Sequence, residues 1–250
     1  VIHADRPGAA RVETGASPIA PDKSAAPDKS GATDKSGAPG ESVRRFDLVE
    51  RLVHWSTAIM MLTLIVTGAI LYLPSLALRI GHRGLVENIH VITGLCLLGP
   101  LILALAGPWG RRLYADLRRF DRWGAADFDW FRGLSRRRGL PGDKFNGGQK
   151  LEAAFLGSAM VAALVTGVIM RFAPSSWISW ATGATLVHDA LFFAIGVAVL
   201  AHIAFALSRP DQLVSMVTGR IPRAWAKSHA AAWLSELEAP APEDLPAERS

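Results

Sequence analysis

Four long stretches of the chain are apolar from end to end, and the charged residues gather between them. The runs cover roughly Trp55–Leu73, Ile89–Pro108, Ala153–Met170 and Thr185–Leu207. Each approaches the roughly 20 residues that a helix rising about 1.5 Å per residue needs to cross a bilayer core. Asp189, close to the start of the fourth run, is the one acid inside them. Gly94, Pro100, Gly167 and Gly196 fall within the runs, where membrane helices tolerate such residues. Helices of soluble proteins are seldom this long with charge-free centres. The pattern therefore predicts an all-α membrane protein, a four-transmembrane-helix bundle over residues 43–237.

Residues 1–42 have a different texture. They are rich in Ala, Pro, Gly, Ser, Asp and Lys, and Asp-Lys-Ser recurs at Asp22, Asp28 and Asp34. Nothing there could form a core, so a disordered low-complexity tail is expected, with a second polar tail over 238–250. The chain begins at Val1, which points to a trimmed or shortened product. Its opening residues lack the charged-then-apolar order of a secretory leader.

Charge sets the orientation. Arg44, Arg45 and Arg51 surround the start of the first run, and Arg209, Arg220, Arg223 and Lys227 follow the fourth. Between the second and third lie Arg111, Arg112, Arg118, Arg119, Arg122, Arg132, Arg136, Arg137, Arg138, Lys144 and Lys150. The other two connections hold only Arg79 and Arg83, then Arg171. Positive residues collect on the cytoplasmic side, so both termini and the middle loop of this multi-pass protein are expected there. The net charge of +5 forms no single stripe, so nucleic acid is not an expected partner and membrane lipid is. Trp55, Trp109, Trp123, Trp130, Trp177, Trp180, Trp225 and Trp233 all lie at run ends or beyond them. Those flanking the runs suit an interfacial belt. The lone cysteine, Cys96, excludes an internal disulfide and any multi-thiolate metal site made by this chain alone.

The chain also repeats itself. Leu64–Ile70 (LIVTGAI) resembles Ala163–Ile169 (ALVTGVI), Pro-Ser follows at a similar offset, 6 or 7 residues after the glycine, and a histidine follows 22 or 21 residues after it. A duplicated two-helix hairpin is expected.

Four of the seven histidines lie in or beside the runs: His54, His90, His188 and His202. Ionisable groups at such depth are functional candidates. Following the chain in and out of the membrane puts His54 and His202 near the cytoplasmic face and His90 and His188 near the outer one. His188 and His202 are 14 residues apart, which on one helix means similar facing and about 21 Å of axial separation. Two levels with two imidazoles each suit two stacked b haems with bis-histidine iron. Gly68 and Ala104, 14 residues from His54 and His90, would let the other macrocycle pass close. A dinuclear metal centre would gather its ligands at one depth and add carboxylates. A proton relay would leave the pairing unexplained.

Three stretches bring a family into view: Arg45-Phe46 through Glu50-Arg51-Leu52-Val53-His54-Trp55, then Lys144-Phe145-Asn146-Gly147-Gly148-Gln149-Lys150, and Trp225-Ala226-Lys227. With the four histidines, they resemble the cytochrome b (gamma) subunit of membrane-bound formate dehydrogenase. The first is shared more loosely with other diheme cytochromes b. The resemblance implies haem ligation by His54 with His202 and by His90 with His188. It also implies a quinone pocket (menaquinone or ubiquinone) lined by Asn146, Gly148 and Gln149. Read as residues alone, that segment is a turn opening a helix, with Asn146 as its cap. The implied partners are an iron–sulfur (beta) subunit and a molybdenum- or tungsten-containing catalytic (alpha) subunit. This chain would be the quinone-reducing membrane subunit of a formate:quinone oxidoreductase, with no formate chemistry and no catalytic residues of its own. A cytochrome b serving a hydrogenase or another respiratory dehydrogenase or reductase is the nearest alternative. A haem-free transporter or anchor is the alternative of another class. His229, His3 and His82 are expected to be solvated. Ser228-His229-Ala230 departs from the family's usual paired histidines.

Overall fold

The structure is a computed structural model, described over residues 41–133 and 142–239. Its elements in order are β1 (Ser42–Arg44), α1 (Leu48–Tyr72), α2 (Pro74–Ile80), α3 (Arg83–Cys96), α4 (Gly99–Ala106), α5 (Arg111–Phe120) and α6 (Ala125–Phe131). After these come α7 (Gly147–Phe172), α8 (Ile178–Leu207), α9 (Pro210–Thr218), β2 (Arg220–Pro222), α10 (Arg223–His229) and α11 (Ala231–Glu238). Among the described residues four spans are long and apolar enough to cross a membrane: Leu48–Tyr72, Arg83–Ala106, Gly147–Phe172 and Ser175–Leu207. The protein is thus a multi-pass helical membrane protein. The tail up to Gly40, the arginines Arg136, Arg137 and Arg138, His3 and the last residues from Pro240 lie outside the described residues.

The spanning helices start earlier than the apolar runs, and in α1 and α7 a polar cap, not hydropathy, fixes the start. Asp47 accepts from the backbone of Glu50 while Glu50 accepts from the backbone of Asp47, so α1 begins two turns before Trp55. Asn146 and Gln149 make the same reciprocal pair at the start of α7. The second span is not one helix. It breaks between Cys96 and Gly99, and Pro100 sits in the first turn of the continuation. A proline there cannot donate to the preceding turn, so the helical ladder restarts.

Each span gives a buried residue to one central cluster: Met61 from α1, Leu97 at the break, Ala159 from α7 and Ile195 from α8. Met61 is seven residues past His54, and Ile195 lies midway between His188 and His202. The core is therefore an apolar layer dividing two histidine levels.

At one end the chain is clamped. Strand β1 pairs antiparallel with β2, Val43 opposite Ile221. Gly219 turns the chain there at φ 80°, and its carbonyl accepts from the backbones of Arg45 (2.8 Å) and Phe46 (3.1 Å). Ile221, Ala226, Ala230, Trp233 and Leu234 form a second core beneath this pairing. Charges are buried at the same end, and the two buried lysines have counter-ions. Lys144 meets Asp116 and Glu50 (3.3 Å), and Lys150 meets Asp127 (2.8 Å) and the carbonyl of Arg122 (2.7 Å). Lys144 and Lys150 thus hold the middle connection to the bundle rather than standing in solvent. Arg45 donates to the carbonyl of Lys144 (3.0 Å) and stacks between the rings of Phe46 and Trp225. Burial pushes its guanidinium down to about 10, against the pull of Asp116, so it stays charged at neutral pH.

Candidate functional site

The structure brings the four span histidines together as two pairs. The rings of His54 on α1 and His202 on α8 have centres 6.2 Å apart, at 48°. Those of His90 on α3 and His188 on α8 are also 6.2 Å apart, at 69°. One metal ion bound by an imidazole nitrogen from each side at about 2 Å would put the ring centres roughly 6 Å apart, once about 1 Å from nitrogen to ring centre is added twice. The spacing of both pairs therefore fits iron held between them. Among the described residues no group of three or more histidine, cysteine or acidic side chains gathers as a multi-ligand metal centre.

The second nitrogen of three of the rings is accounted for. Nδ1 of His90 lies 2.9 Å from the Thr67 hydroxyl, and Nδ1 of His188 lies 3.0 Å from that of Thr166. Each hydroxyl already donates its single proton back along its helix, Thr67 to Thr63 (2.7 Å) and Thr166 to Ala162 (2.8 Å). It can only accept from the imidazole, so the proton sits on Nδ1 and Nε2 keeps its lone pair for a metal. On the other level, Nδ1 of His202 faces Glu152 at 3.1 Å. A ligating histidine ordinarily has its other nitrogen fixed in this way.

Glycine makes the approach possible. A Cβ on Gly167 would stand 3.3 Å from Cε1 of His188, and one on Gly68 would stand 3.3 Å from Phe192 and 3.5 Å from Cε1 of His90. Gly68 thus makes room for the His90 ring on its own level. Ala104, 14 residues along the second span from His90, does not line this outer-level cavity, and its backbone carbonyl lies close to Gly110.

A cavity of about 590 Å³ opens beside His90 and His188, within the range of pockets that hold cofactors. Gly68, Gly94 and Gly167 are in its wall. Its charged lining is Arg83, Arg171, Glu87 and Asp189, which gives Asp189 a place.

Asn146 and Gln149 stand at the entrance to α7 with their side-chain oxygens committed to the capping pair. The Gln149 amide donates to Gln212 (3.0 Å), in the wall of a second cavity of about 390 Å³ that also includes Arg209 and Trp225. Gly148 faces Trp130, whose ring leaves no space for a side chain. His229 is exposed, as expected, and its ring also stacks on Trp225 at 4.7 Å. His82 is exposed at the start of α3.

Sequence reasoning missed Thr67, Thr166 and Glu152. The two threonines had a signal, since both stand in the repeated Thr-Gly, and the structure shows what is duplicated: a hydroxyl and a gap facing the next helix's histidine. Glu152 had none beyond its position ahead of the third apolar run.

Similarity to known proteins fits this geometry. The formate dehydrogenase cytochrome b556 subunit of Haemophilus influenzae is 29% identical over 211 residues, covering 80% of this chain and 86% of that one. The cytochrome b556(fdo) subunit of Escherichia coli formate dehydrogenase is 28% identical over 203 residues, covering 79% and 94%. The nitrate-inducible cytochrome b556(Fdn) subunit of Escherichia coli is 24% identical over 205 residues, covering 78% and 91%. All are b-type cytochromes by name, and the paired imidazoles are the donor set such a cofactor takes. A family described as prokaryotic cytochrome b561 matches residues 45–219, a stretch running from the buried Arg45 through all four spans to the Gly219 turn, and the chain belongs to it.

Proposed function

We propose that this chain is the membrane cytochrome b subunit of a formate dehydrogenase complex, holding two b haems and passing electrons inward to quinone. His54 and His202 ligate one iron on the cytoplasmic side, and His90 and His188 the other on the outer side. The observation that carries the reading is the equal 6.2 Å spacing of both ring pairs. Each bound macrocycle supplies a one-electron carrier, and the protein fixes the rings, their tautomers and the apolar layer between the levels. That layer excludes water, so charge crosses the centre of the bundle as electrons alone.

The donor is an iron–sulfur subunit fed by a molybdenum- or tungsten-containing subunit that oxidises formate. The arginine-rich ends face the cytoplasm of the bacterial inner membrane, so quinone takes its protons from that side. The quinone lies at the entrance to α7, beside the cavity whose wall includes Gln212. Asn146 caps the helix with its oxygen, and its amide nitrogen is left to donate to a quinone carbonyl. Gln149 reaches the same cavity through Gln212, and Gly148 lets Trp130 close over the helix end.

A pyridine haemochrome assay on the purified full chain should give two b haems, both low-spin when oxidised. His54→Ala and His202→Ala should each remove one redox component, and His90→Ala and His188→Ala the other. Fewer than one haem in a fully loaded preparation, or loss of the same component from His54→Ala and His90→Ala, refutes the reading.

A further inference from the structure

We infer that Glu152 sets the electron affinity of the cytoplasmic-side iron through His202, making the two haem sites unequal. The inference rests on the ligand assignment above and adds a residue that it does not require. On the outer level both ligands, His90 and His188, give their Nδ1 protons to neutral threonine hydroxyls at 2.9 and 3.0 Å. On the cytoplasmic level His202 faces a carboxylate oxygen of Glu152 at 3.1 Å. The two side chains are only partly exposed, 42% for His202 and 28% for Glu152, so solvent screens the contact incompletely.

A carboxylate pulls harder on the Nδ1 proton than a hydroxyl does and leaves more electron density on the imidazole. A more basic imidazole is a stronger donor, and stronger donation favours ferric over ferrous iron. Glu152 therefore acts as a positioning and tuning residue that touches neither iron nor quinone. It stands three residues beyond Gln149, on the same face of α7, so the residue that makes this iron the stronger reductant also lies next to the proposed quinone site.

The test is a redox titration of the intact complex or full chain carrying both haems, followed in the visible spectrum and by electron paramagnetic resonance of the ferric signals. His54→Ala identifies the cytoplasmic component. In Glu152→Gln that component should move to higher potential, by about tenfold in its one-electron equilibrium, or about 59 mV. Its ferric signal should change while the outer component stays in place. Glu152→Asp, which keeps the charge, should fall closer to the parent than Glu152→Gln does. Unmoved potentials, or equal movement of both components, overturn the inference. Should Glu152→Gln fail to hold the haem, Glu152→Ala is read the same way. Loss of that haem from both variants also overturns it, because the carboxylate would then be a prop for His202 rather than a determinant of its donor strength. An unsubstituted chain without two haems refutes the functional reading instead.

Discussion

Gly167 touches the chemistry with no side chain at all. A methyl there would sit 3.3 Å from Cε1 of His188, which is tight but can be relieved by a small shift of the ring. A β-branched side chain cannot be accommodated so cheaply, since its extra atoms would enter the cavity where His188 meets His90. Gly167→Val should therefore lower the content or potential of the haem proposed between His90 and His188 and leave the one proposed between His54 and His202 at its parental value. The measurement is a haem-resolved redox titration, and equal loss of both components would show that the glycine serves helix packing instead. At this scale the sequence was informative about which histidines meet. Four imidazoles at two depths leave little choice of pairing, and helix periodicity supplies the depths. Their hydrogen-bond partners were harder to find, because a threonine or glutamate announces a partner only once the facing helix is placed.

At the scale of elements, the start of α7 tests whether Asn146 has two jobs. Its oxygen accepts from the backbone of Gln149 at 3.0 Å, a capping role that aspartate performs about as well. Its amide nitrogen is what aspartate lacks. Asn146→Asp should keep the helix, both haems and their reduction by donor subunits, yet weaken quinone turnover or binding of quinone analogues. One lost polar contact costs about 1–3 kcal/mol when its partner is left unsatisfied. Asn146→Ala loses the cap as well and should add about 1 kcal/mol of destabilisation. Normal quinone kinetics in Asn146→Asp with impaired stability in Asn146→Ala would make the residue a cap alone. Helix existence and type were legible here because hydropathy dominates in a membrane. Boundaries were legible only in part: Asn146 could be read as the cap of α7, whereas Asp47 carries α1 beyond its apolar run without such a signal. Pro100 was noted as a tolerated residue, and it proves to restart the second span.

For the molecule as a whole, the buried charges at the clamped end decide whether the loop between α4 and α7 belongs to the fold. Lys144 stands against both Glu50 and Asp116, and all three are buried. Glu50 is one helical turn before His54, so this ion cluster ties the middle connection to the helix carrying a proposed ligand. The orientation rule treated Lys144 as a loop charge because a sequence does not reveal which lysine meets an acid from an element 94 residues away. Removing one member of a buried ion cluster strands the others, which typically costs about 3–5 kcal/mol, whereas replacing the whole set with neutral groups of similar size can cost far less. Lys144→Met should therefore lower the thermal midpoint strongly, measured as haem release or tryptophan fluorescence in detergent. The triple variant Lys144→Met, Glu50→Gln, Asp116→Asn should recover much of the loss. Arg118→Ala, at an exposed position of α5, is the reference, expected to shift the midpoint little, as surface charges do. If Lys144→Met behaved like Arg118→Ala, the middle connection would be an appendage and the proposed quinone site would lose the frame that holds Asn146 in place. A severe loss in Lys144→Met with no recovery in the triple variant would mean that the cluster supplies net attraction, so that its charges stabilise the fold rather than merely offset one another.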